Sequence, residues 1–151
     1  MAESFKNYNT SISNTNTSGV IIIPPAISVP DTSEIRESGS VAQIHSIYIS
    51  QIPENKVNSL NRYNPAYFTS FNLYIKDNNA KVTYIVYDGR IVPGAPFFIE
   101  KNITLEPTQY LVISCPNDSY DIDSSTNESV LLNKPANLHI SASAVLFPTS
   151  E

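Results

Sequence analysis

The only cysteine, Cys115, closes the stretch GAPFFIEKNITLEPTQYLVISC at residues 94–115, and the chain has two histidines, His45 and His139. A thiol nucleophile needs a base within hydrogen-bond reach and a third group that orients the base. His45 is the candidate base, because both residues lie in strand-like sequence and can face one interior. The flanks of Cys115 hold no glycine elbow and no oxyanion loop, so a cysteine hydrolase lacks local support. A buried cysteine packs as a small hydrophobe, and that reading is favoured here, with both histidines as strand-face residues.

Hard oxygen ligands cluster in DSYDIDSSTNE, where Asp118, Asp121, Asp123 and Glu128 resemble the chemistry of a calcium loop. The alternation is limited to Asp121-x-Asp123, and the stretch lacks the glycine that a sharp calcium-binding turn uses, which favours a solvated acidic loop. No phosphate loop, dinucleotide fingerprint, zinc spacing or G-x-S-x-G elbow occurs, and only four glycines are present to build one. Glu34 and Glu37 sit in polar linker sequence without the aromatic platform of a glycosidase cleft. Tyr63 and Tyr67, beside Asn61, Arg62 and Asn64, offer rings for stacking on a sugar or anchoring a partner. No catalytic residue, metal or cofactor is expected.

The elements that position these residues are strands. The 151 residues suffice for one domain with a real core. Asp, Glu, Lys and Arg make up 15%, against about 25% in an average chain, and Ser, Thr and Asn supply the missing polarity. A net charge of −5 without any Lys/Arg run argues against general nucleic-acid binding, which rests on counterion displacement by clustered cations. One cysteine allows no internal disulfide, and the longest aliphatic run, Val20–Ile23, falls far short of the roughly 20 residues of a membrane helix. The N-terminus MAESFKNYNT shows no secretory signal pattern, so the chain reads as soluble and made in the cytoplasm, with its five Asn-x-Ser/Thr sequons unglycosylated.

Short runs of Ile, Val, Tyr and Phe, bounded by Pro, Gly, Asn or Asp, recur about every ten residues. Gly19–Ile23, Val41–Ser50, Tyr67–Lys76, Lys81–Tyr87, Arg90–Val92, Phe97–Leu105, Gln109–Cys115 and Asn137–Phe147 are the expected strands. Asp77–Ala80 should close one hairpin, and Glu106–Gln109 should close another between Phe97–Leu105 and Gln109–Cys115. Leu138, Ile140, Ala142, Ala144 and Leu146 alternate cleanly, whereas Val41–Ser50 sets Ile44 and Tyr48 against Ile47 and Ile49. In Phe97–Leu105 the alternation turns Phe97 and Ile99 inward and Phe98 outward. Pro53–Leu60 is the one helical candidate. The expected fold is an all-β, antiparallel two-sheet β-sandwich, jelly-roll-like, spanning residues 19–151, with residues 1–18 as a flexible N-terminal arm. Residues 52–66 and 116–136 are long connections, where contacts concentrate.

The order of segments is itself informative. MAESFKNY precedes a Ser/Thr/Asn stretch and a strand ending VIIIPP. VAQIHSIYISQI then leads to a hairpin, the turn Val92-Pro93-Gly94-Ala95, and Leu105-Glu106-Pro107-Thr108-Gln109-Tyr110-Leu111-Val112. LHISASAVLF closes the chain. This layout resembles the small β-sandwich virion structural proteins of tailed bacteriophages, especially marine T4-like phages. In that group a "vPaG" turn, an "LeaGDxLxv" strand and an "ldvxvSylE" terminal strand occupy the matching places. The resemblance covers most of residues 1–115 and 137–151. Pro107-Thr108-Gln109 departs from the Gly-Asp turn, and residues 116–136 look like an insertion.

The resemblance implies a non-enzymatic virion component of head, neck or tail, synthesised in the host cytoplasm and located in the particle. Its partners would be other virion proteins and copies of itself, with no nucleic acid and no membrane. Phe5 and Tyr8 in the arm, Tyr63 and Tyr67 at the long connection, and outward Phe98 are the candidate partner-binding residues. The alternative is a tail appendage that binds a host receptor or glycan through Tyr63, Tyr67 and the acidic loop.

Overall fold

The computed structural model describes residues 3–13, 19–30, 32, 34–52, 69–91, 95–115, 120–122, 129–131 and 137–148. These form eleven strands and no helix, so the expected all-β class holds. In the first sheet β1 (Ser4–Ser13) pairs with β11 (Asn137–Phe147), and β11 pairs with β3 (Val41–Ile52). The other edge of β3 receives β6 (Phe97–Ile99) and β7 (Ile103–Leu105) in turn. The second sheet runs β2 (Val20–Ile23), β8 (Tyr110–Ser114), β4 (Thr69–Lys76), β5 (Val82–Ile91). A separate antiparallel pair joins β9 (Tyr120–Ile122) to β10 (Ser129–Leu131). The helical candidate at 53–60 lies outside the described residues.

Period-two alternation builds the sandwich core, because one face of each sheet must leave water. Leu138, Ile140, Ala142, Ala144 and Leu146 are buried as the pattern requires, and Phe71, Leu73, Leu111, Ile113 and Cys115 meet them from the second sheet. Each fully buried Leu or Ile contributes roughly 1.5–3 kcal/mol of transfer free energy. Strand β8 is buried on both faces. Its outer residues Tyr110 and Val112 pack with Val29 in a second cluster, flanked by Ile21, Ile27 and Tyr74.

Four expectations need correction. Residues 4–13 are not a flexible arm: they form a ten-residue strand in register with β11 from Ser4↔Leu146 to Ser13↔Asn137. Ile12 is buried and Tyr8 packs against the main cluster, and the ladder supplies the rest of the attachment through backbone hydrogen bonds. Second, Phe97–Leu105 is two strands. Glu100, Lys101 and Asn102 leave the ladder opposite a bulge in β3, where Ser143 pairs with Ser46 but Ala144 pairs with Ile44. His45 is the extra residue, and it shifts the buried parity from Ala42 and Ile44 to Ile47 and Ile49. The competing faces of this strand are therefore two halves of one strand on either side of a bulge.

Third, β7 and β8 do not form a hairpin. They belong to different sheets, and the Glu106–Gln109 turn carries the chain across the sandwich. Leu105, Leu111, Ile113 and Cys115 still share one core, but face each other across it. Fourth, Asp88-Gly89 does not end a strand: β5 runs on to Ile91 through two irregularities opposite β4. Asp88 has φ 54°, and its N–H donates to Asn72 Oδ1 at 2.7 Å. Gly89 is required by close approach, since a Cβ there would lie 2.6 Å from the Phe71 ring.

Two of the connections that cross between the sheets, β2–β3 and β7–β8, converge on Arg36. Its Nη1 donates to the carbonyls of Pro24 (2.8 Å) and Gln109 (2.9 Å). Its Nη2 donates to those of Ser40 (2.9 Å), Leu105 (3.2 Å) and Glu106 (2.8 Å). Burial pushes the guanidinium down, to about 10, with the charges of Tyr8 and Glu106 opposing that shift; it stays cationic at neutral pH. Arg36→Met leaves these carbonyls without their donor and should cost about 3–5 kcal/mol in urea unfolding with an unchanged m-value. Arg36→Lys, with fewer donors, should lose less. A loss below about 1 kcal/mol for Arg36→Met would show that solvent replaces the guanidinium at this junction.

Candidate recognition surface

The outer face of the first sheet is built by the residues that alternation turns away from the core. Pairing across four strands sets Asn9, Ser141, Tyr48 and Phe98 in one row. Ser11, His139 and Ser50 form the next row, and Asn7, Ser143 and Ser46 the row on the other side. Ser143 Oγ donates to Asn7 Oδ1 at 2.8 Å. Tyr48 and Phe98 meet edge to face, with ring centroids 6.0 Å apart and planes at 70°. Between Tyr48 and β1 lies an open groove of about 500 Å³, lined by side chains or backbone of Asn9, Thr10, Ser11, Tyr48, Ser50, His139, Ile140 and Ser141.

The outer face of the second sheet differs. Its β2–β8 half is covered by the Val29 cluster, while its β4–β5 half carries a tyrosine ladder. Tyr74 and Tyr84 lie 5.6 Å apart and Tyr84 and Tyr87 5.0 Å apart, both pairs edge to face. Tyr84 and Tyr87 are 51% and 70% exposed on strand β5, at the sheet edge.

The sequence candidates fall in different places. Cys115 is a free thiol, fully buried in the core, and burial alone pushes it up to about 12. His45 is exposed on the β3 bulge, its Nδ1 3.2 Å from Asn102 Oδ1, so it is no partner for the buried thiol. His139 is exposed and lines the groove. Phe98 points outward as its parity implies, 52% exposed, while neighbouring Phe97 turns inward onto Phe71 at 5.4 Å. Phe5 is 82% exposed. Tyr8 is half-buried against the core, and its phenol is pushed up by burial, partly offset by the Arg36 charge. Tyr63, Tyr67, Asp118, Asp123 and Glu128 lie outside the described residues, as does the side chain of Asp121. Among the described residues no three His, Cys, Asp or Glu side chains gather as a metal site would need.

Sequence reasoning missed the groove and the tyrosine ladder. The groove joins residues from three strands widely separated in the chain, and Tyr48 was assigned to a contested face because the bulge hid its parity. Tyr84 and Tyr87 share a side despite odd spacing because β5 is irregular opposite Leu73.

No family model and no curated protein matches the chain. Among solved structures it is similar to a chain in the structure of infectious bursal disease virus Gx strain, at 8% identity and a TM-score of 0.40, over 97% of this chain and 32% of that one. It is also similar to a chain of the Gt strain, at 6% identity and a TM-score of 0.34, over 99% of this chain and 38% of that one. The chain thus spans about a third of the length of the viral chains it matches.

A thiol held neutral by burial gives two expected outcomes. Iodoacetamide at pH 8 should leave Cys115 unmodified in the native protein and alkylate it fully in urea. Because its folded value lies above the unfolded one, this group's contribution to stability is fully present below pH 9 and is lost as pH rises through about 12. Native-state alkylation at the rate of a free thiol would contradict the packing role.

Proposed function

We propose that the chain is a non-enzymatic structural component of a virus particle, of the accessory kind that decorates or joins parts of the head, neck or tail of a tailed phage. The observation that carries this reading is the set of large side chains left exposed on strands. Phe5, Tyr87, Phe98 and Tyr84 are 82%, 70%, 52% and 51% exposed. Exposed aromatics on a rigid frame suit a protein interface, since little side-chain freedom is lost when a partner covers them.

The edges of the sheets add to it. β1 ends the first sheet and β5 ends the second, and each offers a ladder of backbone donors and acceptors to a neighbouring copy or another virion protein. Docking through β1 as a preformed strand replaces docking through a flexible arm, and it avoids the ordering cost an arm would bear. Phe5 and Phe98 keep the contact role expected of them, joined by Tyr84 and Tyr87. The layout shared with phage β-sandwich virion proteins supports the same reading.

Mass spectrometry of gradient-banded particles from the infected host should find the chain at a fixed ratio to the major shell or tail protein. The double substitution Tyr84→Ser/Tyr87→Ser should lower that ratio by about tenfold or more while leaving thermal unfolding unchanged. Absence of the chain from banded particles would overturn the proposal.

A further inference from the structure

The groove on the outer face of the first sheet has a chemistry that particle docking does not explain. The side chains that alternation turns into it are the amide of Asn9, the hydroxyls of Ser11, Ser50 and Ser141, the imidazole of His139 and the phenol of Tyr48. Among the described residues no Asp, Glu, Lys or Arg lines it. A phosphate, a nucleic acid or an anionic peptide would find no lysine or arginine among the described lining residues, and an apolar peptide would bury hydroxyls and an amide without partners. The matching ligand is uncharged, rich in hydroxyl groups, and has one apolar face.

We propose that this groove binds a neutral oligosaccharide, with Tyr48 as the stacking platform and Asn9, Ser50, His139 and Ser141 as its hydrogen-bonding partners.

Three features support the assignment. Tyr48 stands between Phe98 and the groove, and its edge-to-face contact with Phe98 braces the ring that a pyranose would stack on. A solvated sheet face has no need of such a wall. The polar groups stand on three adjacent hydrogen-bonded strands, so their spacing is set by the sheet, and serine, asparagine and histidine lose little rotamer freedom on binding. The volume of about 500 Å³ lies within the roughly 300–1,000 Å³ range of small-molecule sites, and the groove is open, as a chain of sugars entering lengthwise requires. The Asn7–Ser143–Ser46 row continues the polar strip beside it.

This differs from a glycan site at Tyr63, Tyr67 and the acidic loop. It also stands independently of the particle reading, because particle incorporation and sugar binding are separate measurements.

The test is a glycan array screened with the full-length chain, followed by saturation-transfer NMR with a panel of neutral trisaccharides built from glucose, mannose, galactose and N-acetylglucosamine. At least one neutral glycan should bind, with saturation transfer strongest at the ring protons of one sugar face. Tyr48→Ala should weaken it by about tenfold or more. Ser141→Gln, which fills the groove from the central strand, should abolish it. Tyr87→Ser, on the opposite sheet, should leave it unchanged. Circular dichroism and thermal unfolding of each variant confirm that the fold is retained. Binding that survives both Tyr48→Ala and Ser141→Gln would overturn the proposal. So would binding confined to anionic glycans, or no binding to the array and no saturation transfer at millimolar trisaccharide.

Discussion

One buried guanidinium ties together two of the places where the chain passes between the sheets. A two-sheet sandwich must pass its chain from one sheet to the other, and at each crossing backbone carbonyls leave their ladders while still under cover. Here β2 ends at Ile23 in the second sheet, β3 begins at Val41 in the first, and β7 and β8 make the reverse crossing at residues 105–110. These two of the several crossings are brought together, with Ala26 N–H donating to the Pro107 carbonyl at 2.8 Å. Arg36 gathers the carbonyls of Pro24, Ser40, Leu105, Glu106 and Gln109 around a single planar fork. No other side chain offers enough fixed donors for that task. The cost is a desolvated cation, seen in its lowered proton affinity, and an Nε left without a partner.

Register in the first sheet is set by its ladder pairing to β11. β11 sits between β1 and β3, ladder-bonded on both sides over its length, so its alternation imposes inner and outer faces on both neighbours. The bulge at His45 is what reconciles β3 with this register. Without the extra residue, Ile47 and Ile49 would fall on the outer face and Tyr48 in the core. The groove is therefore a consequence of the bulge: it sets Tyr48 beside Ser141 and Asn9 in place of a buried isoleucine.

Local patterns made part of this legible. The alternation of β11 assigned the core correctly because that strand is regular where its buried residues sit, and Phe98 followed from parity in its own strand. The turn at Glu106–Gln109 was recognised but its role was not. An i to i+3 hydrogen bond between Glu106 and Gln109 looks the same whether the next strand pairs with the last one or with the opposite sheet. β1 escaped notice because it has few aliphatics to bury; Ile12 is fully inside, and its pairing needs a partner more than 100 residues away. Arg36 was unreadable in principle. It stands in polar IRESGS, and four of its five acceptors are backbone atoms 12 to 73 positions distant, which carry no residue-type signal.

The two outer faces that result are chemically unlike. The second sheet is half covered by its own Val29 cluster and presents tyrosines only along β5, at an edge. The first sheet presents a neutral, hydroxyl-rich strip with an aromatic wall. In a sandwich these faces point in opposite directions, so a contact made through the tyrosines and edge of β5 leaves the groove open to solution. Both faces stand on strands that share one hydrophobic core, so the groove and the tyrosine ladder are held on the same frame.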